Sequence, residues 1–327
     1  MAQSNDTKTT LPKRPRSTGG FIALPAIFFV FSAAYVLLFV AGPAEPSPTI
    51  FLFDFIYLVI FPGYVLAGFL VDPRRLALAA VVSLTLGAAL FYVVLVLSTF
   101  LPFGAASAAW LVPILTAFAV AARVIASRRR GDRKQELIGA EPAGARTSLI
   151  LVLLLAACAA LILSVGDPLL YTSDSADHIA YIRAVAREGE TFPDRFLYAE
   201  GGRLTADIRK GLAHSMWGTL SAIRGNLEIV PLWKYISLVT TLWILGALYL
   251  AGVMLTRRPA IGLVAVILFV LFYHSGLCGY QLILNAYGFP SGRFHYLVFI
   301  SMLPLVPGEQ RQHGNENQVM ESAAGEA

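Results

Sequence analysis

The apolar residues of this chain fall in long unbroken runs rather than in the 3.6- or 2-residue alternation of soluble helices and strands. Runs long enough to cross a hydrocarbon core, which takes roughly 20 residues as a helix, lie at about 21–42, 50–71, 76–101, 107–126, 148–165, 232–256 and 259–284. An eighth begins near Phe294 and stops at Pro307, short of a full crossing unless it tilts or re-enters. The pattern predicts an all-α fold, a polytopic transmembrane helical bundle of about 7–8 spans. Its order is a basic tail at 1–20, a four-span N-terminal membrane unit at 21–127, a linker at 128–147, a second membrane unit at 148–306, and a polar tail at 307–327 that reads as disordered. The second unit carries the one large loop, 166–231.

Composition agrees with the pattern. With 57% apolar residues, 14% charged residues and a mean hydropathy of +0.68, the chain is far from the balance of a soluble domain. Charge placement adds an orientation, because short loops rich in Lys and Arg stay on the cytoplasmic side. Lys8, Lys13, Arg14 and Arg16 lie in the tail, Arg74 and Arg75 follow the second span, "RRRGDRK" at 128–134 follows the fourth, and Arg257 and Arg258 follow the sixth. The alternate loops "GPAEPSPT" and "LPFGAAS" contain neither residue. An integral protein of the cytoplasmic membrane is expected, with its N-terminus inside and loop 166–231 on the extracytoplasmic side. The basic residues within that long loop weigh little, since long loops are translocated largely regardless of charge.

The same distribution accounts for the sequence pI of about 9.2 through topology and anionic headgroups, so no nucleic acid is expected as a partner. The first span, about 22 uninterrupted residues, exceeds a signal h-region of roughly 7–15 and is expected to be retained. Cys158 and Cys278 lie in or near separate spans and read as small apolar packing residues.

Chemistry concentrates in the large loop. "YTSDSADHIAYIRAVARE" at 171–188 reads as a juxtamembrane amphipathic helix in which Asp174, Asp177, His178 and Tyr181 share one face at i, i+3, i+4 and i+7. Ile179, Ile182 and Ala186 fall on the other side. Arg183 and Arg187 flank the apolar stripe, placed to reach lipid phosphates or the phosphate of a bound lipid. Gly189 is expected to cap the helix, with Pro193 beyond. Asp174 with Asp177 is equally well read as a helix N-terminus with acids in the first turn, favoured by the dipole alone. A second polar knot, "ADIRKGLAHS" at 206–215, brings Asp207, Arg209, Lys210 and His214 into the same loop; Arg209 and Lys210 also fit a solvated surface.

A span followed by an outside acidic motif and a helix of the form Asp-x-Ala-x-x-x-x-Tyr closing in Gly resembles the first outside loop of the GT-C glycosyltransferases, membrane enzymes that use polyprenyl-phosphate sugars. The matching residues are Asp174, Ala176, His178 and Tyr181, closed by "REGE"; "DIRKGLAH" resembles a stretch in a bacterial subgroup of GT-C-like proteins. The likeness covers about 148–306, roughly half the chain. It implies a polyprenyl-phosphate-linked sugar as donor, a glycan, lipid or protein as acceptor, and membrane lipid as surroundings.

The implied chemistry suits the residue types. A carboxylate, here Asp174, takes the proton of the attacking hydroxyl. Arg183, Arg209, Lys210 and His214 stabilise the departing phosphate. Asp177 and His178 orient the acceptor, with Tyr181 in the substrate-binding set. A divalent cation is disfavoured, because two carboxylates and a histidine within five residues form an incomplete shell; no other cofactor is implied.

The chain departs from the family in two ways. Four spans precede the acidic loop where many members have one, and the polar tail after a short eighth span suggests a shortened chain. Two rival functions follow. A transporter needs ionisable groups near the midplane, yet the spans hold little beyond Asp54 and His274. A non-catalytic membrane subunit is the stronger rival. Asp54, inside the second span, fits by default an interior or cavity-facing position; lying five positions from the outer end of that span, it is rather expected to reach the headgroups.

Overall fold

The computed structural model describes residues 19–40, 47–71, 76–101, 104–130, 145–164, 173–193, 211–223 and 228–272. Among them the fold is helical without β-strands. Six helical segments are long and apolar enough to span a membrane: 23–40, 48–67, 77–98, 104–126, 146–164 and 229–256. In chain order the helices are α1 (Gly19–Val40), α2 (Pro48–Phe55), α3 (Phe61–Ala67), α4 (Leu76–Ser98), α5 (Ala108–Arg130), α6 (Ala145–Ser164), α7 (Ser173–Glu188), α8 (Gly211–Ala222), α9 (Ile229–Thr256) and α10 (Pro259–Phe272). The expected seventh span is described as far as the 14-residue α10. Its remainder and the eighth run lie outside the described residues, as do the linker 131–144 and the tail.

The second span is built from two α-helices joined by a π-helical turn, Ile56–Ile60. Pro62 explains the break: it has no N–H to return to Leu58, and its ring would press on that carbonyl. The turn just before it widens the ladder, so that the Phe61 N–H reaches Ile56 O. Packing is closest where α3 crosses α4. A Cβ on Gly63 would overlap the Ser83 carbonyl oxygen and come within 2.6 Å of Gly87 N, and one on Gly87 would overlap Val59 O. Two backbones thus meet at a pair of glycines, the usual solution inside a bilayer, where no hydrophobic force draws helices together and close van der Waals approach must serve. α1 closes over this pair through Phe28 and Phe31 against Phe61 and through Ser32, whose hydroxyl lies 2.8 Å from the Tyr57 hydroxyl.

The two halves read from the sequence share one core. Phe51 and Phe55 of α2 pack on Trp217 of α8, and Trp243 Nε1 of α9 donates to Thr85 Oγ1 of α4 at 3.3 Å. Segments expected on one side of the membrane do gather at one end of the bundle: the start of α2, the end of α4, the 3-10 turn Gly104–Ser107, α7, α8 and the start of α9. At the other end, Arg123 of α5 covers the C-terminus of α3. It donates to the carbonyls of Tyr64 and Val65 at 3.4 Å each and lies over the Tyr64 ring. A cation at a helix C-terminus is favoured by the negative end of the dipole, and here it adds a second donor to the Tyr64 carbonyl, which also accepts from Gly68 N–H at 3.2 Å.

Asp54 corrects one expectation. It is fully buried inside the protein and does not reach the headgroup level as an exposed side chain. Cys158 is a buried free thiol, as its surroundings suggested, and Cys278 lies outside the described residues.

Candidate functional site

The candidate site is the pair α7 and α8. α7 begins at Ser173, so Asp174 and Asp177 stand within its first turn and a half, where the dipole favours acids. The backbone register puts positions 174, 177, 178 and 181 along one face. It ends as expected: Gly189 adopts φ +69° and its N–H returns to Val185 O at 3.0 Å. The environment differs from that of a half-exposed surface helix. From Ile179 to Ala186 every residue except Ala180 and Arg183 is buried, including Tyr181, which had been assigned to the polar face. α8 covers that side.

α8 is the element the sequence did not announce. Its residues from Ala213 to Ser221 are all buried, although five of them carry polar atoms: His214, Ser215, Trp217, Thr219 and Ser221. Each face has its own neighbour. His214 sets its ring edge-on to Tyr181, centroids 5.7 Å apart, and Gly218 lets α7 approach so closely that a Cβ there would lie 2.6 Å from Val185 Cβ. Ser215 Oγ donates to Thr191 O at 2.6 Å. Trp217 faces Phe51 and Phe55.

Just past α7, the chain is knotted to the front spans. Ala105 N–H donates to Gly189 O at 2.7 Å, Thr191 Oγ1 donates to Leu95 O at 3.1 Å, and the Ser98 and Thr191 hydroxyls lie 3.2 Å apart. α4 and the turn Gly104–Ser107, together with α2, thereby form the base on which α7 and α8 rest.

Arg183 pairs with Glu228, which also accepts from Val230 N–H at 3.4 Å and so caps α9. Burial pushes the Glu228 carboxyl up, but hydrogen bonding and charge from Arg183, with the N–H groups of Val230 and Ile229, outweigh it and hold the group below its ordinary 4.5. The partners are 40% and 54% exposed, so the pair contributes less than about 1 kcal/mol. A depressed folded value means that this contribution is present above the ordinary carboxyl range and lost as pH falls through the folded value. Arg183→Ala is therefore expected to melt slightly below wild type at neutral pH, with the gap closing as pH falls below the ordinary carboxyl range. Thermal scans of both proteins in detergent check this; a gap that persists in acid removes the pair from the account.

Among the eight residues singled out, the structure brings Tyr181 and His214 into contact in the interior and commits Arg183 to Glu228. The backbone positions of Asp174, Asp177 and His178 are described, but their side chains lie outside the described residues, as do Arg209 and Lys210 altogether. No group of three or more His, Cys, Asp or Glu side chains able to hold a metal ion occurs among the described residues. Residues the sequence reading passed over include Glu228, the partner of Arg183, and Thr191, which joins α4 to α8. A capping acid before the apolar run starting at Ile229 was the signal for Glu228; Thr191 had none. Comparison with family models, curated proteins and solved structures returns no match for this chain.

Proposed function

We propose that this protein is a membrane glycosyltransferase that moves a sugar from a polyprenyl-phosphate donor to a glycan, lipid or protein acceptor on the extracytoplasmic side of the cytoplasmic membrane. The observation that carries the reading is the seating of α7 and α8 at the bundle end where the loops without Lys and Arg emerge, with the acidic first turns of α7 opening that helix. Positive-inside charge favours this end as the outer one.

In this reading the acceptor hydroxyl attacks the anomeric carbon, its proton passes to Asp174, and the bond from that carbon to the phosphate breaks, releasing polyprenyl phosphate. Asp177 and His178 orient the acceptor. Arg209 and Lys210 carry the charge on the leaving phosphate first, because Arg183 is already held by Glu228. Tyr181 and His214 act from within, fixing the spacing of α7 and α8.

A second reading, a non-catalytic membrane subunit, is favoured by one observation: Tyr181, His214 and Arg183 are all engaged in packing or pairing within the protein. Sealed vesicles separate the two readings. Right-side-out membranes given labelled polyprenyl-phosphate sugars are expected to transfer label, while inside-out vesicles are not. No transfer in either orientation by folded protein favours the subunit, whose partner is then sought by crosslinking.

A further inference from the structure

Arg123 lies inside the span 104–126, near its inner end, and is half-buried. One turn deeper, Ala119 and Val120 join an apolar cluster with Phe61 and Val65 of α3 and Leu24 and Phe28 of α1. A charge at this depth marks a functional position by default, and the question is what compensates it. Within the protein its partners are all neutral: the carbonyls of Tyr64 and Val65, at 3.4 Å each, and the Tyr64 ring, 5.6 Å from Cζ. No acid among the described residues pairs with it. Both carbonyls are met by Nη1, which leaves the Nε and Nη2 hydrogens without an acceptor among the described residues. Gly68 adds a second observation, because a Cβ there would overlap the guanidinium. The missing side chain gives the cation its seat, at a φ of −67° that alanine adopts equally well.

The Nε–Nη2 edge of a guanidinium is a planar fork that two oxygens of one phosphate match. We propose that Arg123, seated on the C-terminus of α3, binds the phosphate of an anionic molecule, either a phospholipid headgroup or a soluble phosphate. The edge of the hydrocarbon favours the lipid, which brings an apolar tail to an apolar surface. Charge does as well, since anionic lipid gathers at the Lys- and Arg-rich face, where Arg257 and Arg258 close α9. This site lies at the bundle end opposite α7 and α8 and stands or falls apart from sugar transfer.

The test titrates the full chain in dodecyl maltoside with radiolabelled phosphatidylglycerol, phosphatidylcholine or oleate, separating bound from free on spin columns, with and without excess inorganic phosphate. Saturable binding of phosphatidylglycerol, tighter than that of the other two, is expected. Survival in excess phosphate assigns the lipid headgroup, and displacement assigns a soluble phosphate. Arg123→Gln is expected to weaken binding about tenfold. Arg258→Gln removes an equally charged, exposed residue at the same end and is expected to bind as wild type. Gly68→Ala keeps every charge and displaces only the guanidinium tip, so it is expected to weaken binding with the melting midpoint retained; should Arg123→Gln fail to fold, this variant decides. Unchanged affinity in Arg123→Gln or in Gly68→Ala, an equal loss in Arg258→Gln, or tighter binding of oleate overturns the proposal.

Discussion

Gly63→Val is expected to abolish the folded bundle. A Cβ at this position overlaps the backbone carbonyl of Ser83 and presses on Gly87 N, so relief requires α3 and α4 to separate along their whole crossing. Backbone atoms cannot rotate out of the way as the tip of a side chain can. Overpacking a tight core costs about 1–3 kcal/mol where neighbours yield, and here they are helix backbones that also carry the contacts of α1 and α8. Gly63→Ala is expected to lower the melting midpoint in detergent, and Gly63→Val to leave no monodisperse peak in size-exclusion chromatography. Ala26→Val, at an exposed position of α1, serves as control and is expected to behave as wild type. A normal peak from Gly63→Val contradicts the packing described here.

Asp174→Asn is expected to lower sugar transfer by about 10²- to 10⁴-fold, the usual contribution of a positioned general base. Asparagine keeps the oxygen that serves a helix start and loses only the basicity and the charge near the dipole. Its melting midpoint is therefore expected to stay close to wild type, the dipole effect being about 0.3–1 kcal/mol. Reading rate and midpoint together separates the base from the cap: a large loss of midpoint with proportionate loss of rate assigns Asp174 to helix initiation. Asp177→Asn, one turn on, is expected to cost less, since orientation and not proton transfer is its proposed part.

Much of the bundle was legible because a span needs nothing but length and apolarity, and α1, α4, α5, α6 and α9 lie within two or three residues of the runs that predicted them at most of their ends. The second span was legible as a run but not as two helices; Pro62 was visible, whereas the π turn that accommodates it depends on the ladder around it. Gly189 was readable as a cap, because a left-handed residue after an amphipathic helix is a local matter. What failed were judgements of environment. The register of α7 correctly groups Tyr181 with the acids, yet Tyr181 is buried because α8, distant in sequence, lies over it. α8 itself, "GLAHSMWGTLSA", has neither the length of a span nor a polar face, and looked like part of a loop. Asp54 lies near enough to the end of its span to favour the headgroups over an interior position by residue count, but helices α2 and α8 meet there and it is buried. In each case the deciding contact is non-local, and periodicity carries no information about it.

Sugar transfer by the purified full chain in proteoliposomes, wild type beside Asp174→Asn at equal amount and with matched melting midpoints, tests the central claim most directly. The account predicts label moved from a polyprenyl-phosphate sugar to an acceptor by the wild type and at least about a hundredfold less by the variant; equal transfer by both, or none by a folded wild type across the donor panel, contradicts it.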